Sequence, residues 1–406
     1  MTTATVGFGA FISPLHPPGE APDLQMWRDL DLISLLDDLG LDEVWVGEHH
    51  SGGWGTISSP EVFLAAAAER TKRIRLGTGV VSLPYHHPFH AASRVVQLDH
   101  MTRGRVMFGV GSGSSPADAH MLGIEATDTR RMTAEALDVI MPLLRGEAVT
   151  RSADWFTLQD ARLHLAPYSD ELEVAISSAS SPVSMRLAGR HGLSPLSFGA
   201  PVPGAPPIDL AAQWRHAEEA AGEAGRTMDR RDWRIVMPVH VAETTKQAYA
   251  EVREGFERFA YGYFRDTLGL PVEFPGVPSG DEIAAMVESG SAIVGSVDDC
   301  VEAVQRLVDR TGGFGRLLVA VNDWASRERT RNSFELLARY VAPRFDGRLD
   351  SIEASGRWVK ENRAAFIGKA VQAFQQATGS PAPAPAAGAA VDAAGSGSAA
   401  TSPARV

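Results

Sequence analysis

Two rhythms of apolar residues alternate along this chain. Short continuous runs, such as Val6-Gly-Phe-Gly-Ala-Phe-Ile12 and Glu43-Val-Trp-Val46, are separated by stretches where apolar residues return every three or four positions. Leu24, Trp27, Leu30, Ile33, Leu36 and Leu39 show the second rhythm. The runs predict buried strands and the longer period predicts amphipathic helices. Punctuation supports this: Gly40 stops the first helix, and Ser59-Pro60-Glu61 has a cap, a first-turn proline and an acid in helix-start order. Strand runs begin near residues 6, 43, 74 and 105, then recur at Leu172–Ser177, Leu193–Phe198, Trp233–Val241 and Arg316–Val321, each followed by a helical pattern. Repeated βα units require a parallel sheet. The expected fold is an α/β (β/α)8 TIM barrel with insertions after strands four and seven, and an open doubly wound sheet is the alternative.

The first insertion, Val149–Tyr168, lacks helical period and is expected to form a small hairpin. In the second, Gly269 to Gly280 contains Pro271, Pro275, Gly276 and Pro278 and is a candidate lid. The barrel is assigned to residues 1–345 and a helical extension to 346–377. The segment 378–406 is Ala, Pro, Gly and Ser with almost no large apolar residue. It is expected to be disordered, because it cannot bury enough surface to offset the entropy of ordering.

Composition narrows the function. The chain has 406 residues, 44% of them hydrophobic, and a formal net charge of -12. An acidic surface argues against nucleic acid or an anionic membrane as partner. A single cysteine, Cys300, excludes an internal disulfide and cysteine-rich metal sites. Neither a signal-peptide pattern nor a membrane-length apolar run is present, so a cytoplasmic location is expected.

Chemistry concentrates at predicted strand ends. Strand two runs into Glu48-His49-His50. Two readings stand: an imidazole beside a reactive centre, or strand-end histidines bonded to loop carbonyls. A metal site is not expected, since adjacent residues point to opposite sides of a strand and no His-Glu-x-x-His motif occurs. Strand four ends in Gly109-Val-Gly-Ser-Gly-Ser-Ser115, and strand five in a serine-rich loop where Ser181 caps and Pro182 begins a helix. Each is either an ordinary turn or part of an anion cradle, and two at neighbouring strand ends are more specific than one. Gly77 and Gly79 interrupt strand three, at a bulge or a close approach of ligand. Trp54 and Phe198 are candidate walls of an apolar pocket. His16, His86, His87 and His90 also sit near strand ends.

Several blocks resemble, in order, the bacterial-luciferase-like flavin-dependent monooxygenases. They are Phe8-Gly-Ala-Phe, Val44-Trp-Val-Gly-Glu-His-His, Ile74-Arg-Leu-Gly-Thr-Gly-Val-Val-Ser-Leu-Pro, Leu98-Asp-His-Met-Thr-Arg-Gly-Arg and Phe108-Gly-Val-Gly-Ser-Gly. Phe11-Ile-Ser-Pro-Leu-His-Pro-Pro-Gly-Glu and Gly47-Glu-His-His-Ser-Gly-Gly are most similar to limonene 1,2-monooxygenase-type members. The resemblance implies FMN, or FAD, at the barrel mouth, reduced by NAD(P)H through a separate flavin reductase. It implies reaction with O2 to a C4a-hydroperoxide that oxygenates a small apolar substrate, such as a terpenoid or another secondary metabolite. It maps the catalytic histidine to His49, with His50 supporting, and a non-prolyl cis peptide to Gly79–Val80. It maps the flavin phosphate to the region of Gly111, Ser112, Ser180, Ser181 and Ser184. Luciferases carry Arg in place of Ser112 and Glu in place of Ser180, which implies a flavin held loosely and shared with the reductase. Residues 268–291 are the expected shield, His50, Trp54 and Phe198 the expected substrate pocket, and a homodimer the expected assembly. The same barrel could serve F420-dependent hydride transfer or a non-catalytic flavin-binding role.

Overall fold

A computed structural model describes residues 5–200 and 202–379. Eight parallel strands form its centre: β1 Gly7–Ile12, β2 Glu43–Val46, β3 Arg75–Thr78, β4 Val106–Gly111, β5 Val174–Ser178, β6 Ser194–Phe198, β7 Arg234–Val241 and β8 Arg316–Val321. Each pairs in parallel with the next, and β8 pairs with β1 from Gly7↔Arg316 to Ile12↔Val321. The sheet is therefore a closed (β/α)8 barrel with no exposed edge.

The surrounding helices are α1 Pro22–Leu39, α2 Pro60–Ala68, α3 Pro88–Thr102, α4 Pro116–Met121, α5 Thr129–Leu144, α6 Pro182–His191, α7 Leu210–Glu223, α8 Thr245–Glu257, α9 Glu282–Ser289, α10 Val297–Thr311 and α11 Arg327–Leu336. Barrel-facing stripes of these helices and the outward residues of the strands make one apolar shell, from Ile33 and Leu36 to Val304 and Leu307. The strand positions between them point inward, where Phe11, Trp45, Met107, Leu196, Val236 and Leu318 fill the barrel.

The start of the barrel is plugged by charge. Arg234 opens β7 with 1% of its surface exposed. It donates from Nε to Glu43 Oε1 at 2.8 Å, from Nη2 to Glu43 Oε2 at 3.0 Å and from Nη1 to Glu173 at 2.5 Å. Burial alone would raise the Glu43 carboxyl, but Arg234 overrides that and holds it below the usual range.

Several local details differ from the sequence expectation. Where the sequence offers Asp23 as the cap, helix α1 begins at Pro22 with Ala21 as its cap, and Asp23 lies in the first turn. The third strand breaks after Thr78 and resumes as Val81–Ser82, which pairs with Val110 and Gly111. Where the sequence pattern predicts a helix over Thr245–Tyr263, α8 runs on and its winding widens into a π-helix over Arg258–Thr267. Residues 268–281 are irregular, but α9 and a short strand, Ile293–Gly295 beside β7, complete the insertion. The first insertion forms the antiparallel hairpin Val149–Ser152/Thr157–Ala161. The compact barrel unit ends at Gly347. A separate unit contains one helix, α12 Asp350–Thr378, with no buried residue. The segment expected to be disordered lies, from residue 380, outside the described residues. Among the described residues no helix is long and apolar enough to cross a membrane.

Candidate active site

The strands' C-terminal ends open into a cavity of about 680 Å³, within the usual range for small-molecule sites. Its two sides differ. On one side, the loops after β4 and β5 present Ser112, Ser114, Ser115, Ser180, Ser181 and Ser184. On the other, Phe11, Phe198, Val236, Phe264, Leu270 and Met286 form an apolar wall.

His49 lies between them, after β2, with 19% of its side chain accessible. Its Nδ1 is 4.0 Å from Asp118 Oδ2, and its Nε2 has no partner among the described residues. Burial lowers its pKa, and the nearby Asp118 and Glu48 carboxylates only partly offset this. The imidazole is therefore neutral near neutral pH.

Glu48 is the fixed point beneath this histidine. It accepts from His50 Nε2 at 2.7 Å, His86 Nε2 at 2.8 Å and the Ser82 backbone N–H at 2.7 Å. Burial would raise its carboxyl, but these donors bring it down to about 2. His50 is raised mainly by its bond to Glu48. Its ring is turned to Glu48 and Tyr85 and does not line the cavity.

Gly79 and Val80 line the cavity, and the peptide between them is cis. Gly111 does not line it. A Cβ there would lie 2.6 Å from both Val80 Cγ2 and Ser177 Oγ, so glycine lets β4 pass beneath Val80. The serines at 112, 180, 181 and 184 all reach the cavity, and Ser181 accepts from the Val183 N–H as N-cap of α6.

Phe198 lines the apolar wall, with its ring edge-on to Phe11 at 5.0 Å. Trp54 does not. It packs 5.5 Å from the Tyr263 ring and donates from Nε1 to Thr267 Oγ1 at 3.2 Å, bracing the π-helix from behind. The π-helix brings Phe259, Tyr263 and Phe264 to the cavity, and the expected shield over 268–291 contributes Leu268, Leu270 and Met286 to its lining. His16 and His86 are spent on internal carboxylates.

Sequence reasoning missed three residues. Asp118 bonds Ser51 Oγ and receives the His50 backbone N–H at 3.3 Å. Its setting, Ser115-Pro116-Ala117-Asp118, is also an ordinary helix start. Arg130, at the start of α5, reaches the serine side of the cavity with no partner among the described residues. Asn322, just past β8, lines the other side, also without a partner. Among the described residues no group of three or more His, Cys, Asp or Glu side chains could hold a metal.

A closed parallel barrel with a two-sided cavity and a neutral histidine at its mouth defines a small-molecule enzyme. Residues 7–313 match the family model described as Luciferase-like monooxygenase, and the chain belongs to that family. It is 58% identical to a 4-hydroxyprotoasukamycin monooxygenase from Streptomyces nodosus subsp. asukaensis, over 89% of this chain and 98% of that protein. It is 44% identical to a limonene 1,2-monooxygenase from Rhodococcus erythropolis, over 90% and 94%. Its structure matches the oxygenating constituent of 3,6-diketocamphane monooxygenase from Pseudomonas putida in complex with FMN, with TM-score 0.69, 26% identity and coverage of 84% and 98%. The chain is thus a monooxygenase of this family.

Proposed function

We propose that this monooxygenase uses reduced FMN, delivered by a separate flavin reductase, to oxygenate a small, largely apolar organic substrate. The two-sided cavity with His49 at its centre carries this reading. The residues present suit the cofactor. Hydroxyls from two loops, the N-terminus of α6 and the unpaired Arg130 guanidinium form a donor set for a phosphate. Arg130 supplies from α5 the positive charge that Ser112 lacks. A single exposed arginine gives loose retention, which suits exchange with a reductase.

Bound reduced flavin supplies electrons for O2 activation. The protein's own contribution is threefold. The apolar wall binds the substrate's hydrocarbon surface. The π-helix and the loop after it exclude water, which would limit wasteful release of hydrogen peroxide. His49 holds or passes a proton at Nε2, its neutrality preserved by burial.

The test is titration of the protein with FMN and, separately, F420, followed by reductase-coupled turnover with candidate terpenes. The reading expects FMN binding and a product heavier by one oxygen atom. F420 binding with hydride transfer would replace it with the dehydrogenase alternative. Flavin binding without any substrate oxidation would favour a non-catalytic role.

A further inference from the structure

In an eight-stranded ring, β8 lies across the barrel from β4. The serine loops follow β4 and β5, so the wall at the end of β8 is the part of the cavity farthest from the candidate phosphate cradle. That wall is built from Phe11, Val236, Ala320 and Trp324, yet Asn322 sits within it. A carboxamide offers two donors and an acceptor. Here it makes no hydrogen bond within the described residues.

The backbone on its far side is held firmly. Asp323 adopts a left-handed conformation, φ 53°, unusual for a residue with a side chain. Its carboxylate accepts from His16 Nδ1 at 2.7 Å and Arg28 Nη2 at 2.6 Å. The other ring nitrogen of His16 meets Asp29 of α1 at 2.9 Å. Burial would depress His16, but these two carboxylates override it and push it up to about 9, and Arg28 Nη2 also lies 2.8 Å from Nδ1. Arg28 also reaches Glu20, and Arg327 and Arg331 are the remaining charges around this cluster. The clasp ties the loop after β1, which supplies Ser13, Pro14 and Leu15 to the cavity, to the loop that carries Asn322.

We infer that Asn322 is the substrate's polar anchor: it binds a carbonyl or hydroxyl oxygen on an otherwise apolar molecule, and the clasp on Asp323 holds it ready. The inference rests on the monooxygenase reading and refines its substrate class from hydrocarbon to oxygenated hydrocarbon. Anchoring at Asn322 leaves the rest of the skeleton against the apolar wall. It also fixes which part of the molecule faces His49. A rigid, unpaired polar group discriminates strongly against ligands that cannot pair with it. Three further polar groups on this side have no partner among the described residues: the Ser13 hydroxyl on the loop after β1, the Trp324 indole N–H beside Asn322, and the Tyr263 hydroxyl on the π-helix.

Limonene and carvone share one terpene skeleton and differ by the carvone ketone, which makes them a direct test. Calorimetric titration of the FMN-loaded full chain should show carvone binding about tenfold more tightly, although burial of apolar surface alone favours limonene. Asn322→Leu should reverse that order and leave FMN affinity unchanged. His16→Gln should shrink the preference without removing it, because it loosens the clasp and keeps the carboxamide. Equal affinities, tighter limonene binding or no binding of either terpene by the wild-type protein would overturn the anchor, whether or not the variants fold. Loss of FMN affinity in Asn322→Leu would also overturn it, by assigning the carboxamide to the cofactor. FMN titration of the wild type comes first: failure there removes the flavin reading, whereas normal FMN binding without a carvone preference removes only the anchor.

Discussion

Where the barrel strands begin, Arg234 is buried with all three guanidinium nitrogens hydrogen-bonded, two of them to Glu43 and one to Glu173. Where the strands end, Asn322, Arg130 and the Nε2 of His49 reach the cavity without partners. Both ends of the one barrel carry polar groups. At the start, the Arg234 guanidinium is fully paired, because an unpaired buried charge would cost stability and gain nothing. At the mouth, bonding capacity is left open for a ligand. The full pairing of Arg234, set against the open groups at the mouth, distinguishes the structural end from the chemical end.

This contrast can be broken in order of expected effect. Arg234→Met leaves Glu43 buried without its main partner and should cost about 3–5 kcal/mol of stability. Chemical denaturation would show it, and a variant as stable as wild type would mean that the plug is not structural. His49→Ala should leave the fold and FMN affinity intact while product formation falls by about 10²–10⁴-fold, with NADH consumption diverted to peroxide. Unchanged product yield would remove His49 from the mechanism. Arg130→Ala should weaken FMN binding by about tenfold and flatten its salt dependence, as equilibrium dialysis at two ionic strengths can measure.

Two pH dependences sharpen the comparison further. Because His49 is shifted down, the acid limb of activity should fall below the ordinary histidine value of about 6.5. For His16 the folded value is raised, so its stabilisation is complete below about 6.5 and fades as pH rises towards about 9. Melting temperature should decline across that window in the wild type and less so in His16→Gln.

The barrel was legible because its signals are local and repeated. Eight runs with helical gaps suffice, since each βα unit carries its own period and breakers. The site was legible only in part. His49, the cis Gly79–Val80 peptide and Ser112 sit in blocks that match a family, and the second serine loop is marked by its Ser181-Pro182 helix start. Asp118 in α4 and Arg130 at the start of α5 follow β4, whereas Asn322 follows β8, and only barrel closure brings the two connections to one mouth. Helix α4 spans six residues, too short for a period to emerge. The π-helix keeps the apolar residues of an ordinary helix, so its wider winding left no mark. Trp54 illustrates the opposite error: an aromatic at a strand end became a brace for the lid, since its indole N–H found Thr267.

The seam between β1 and β8 has a consequence for how the molecule is made. The first strand, Gly7–Ile12, has one of its two neighbours at Arg316–Val321. On a ribosome adding 5–20 residues each second, the first strand waits roughly 15–60 s for that neighbour. Until then the half-built barrel keeps two open edges, each a template for a wrong strand. Chaperone demand during synthesis, measured by pulse labelling, should therefore peak before the eighth strand emerges and fall once the seam can close.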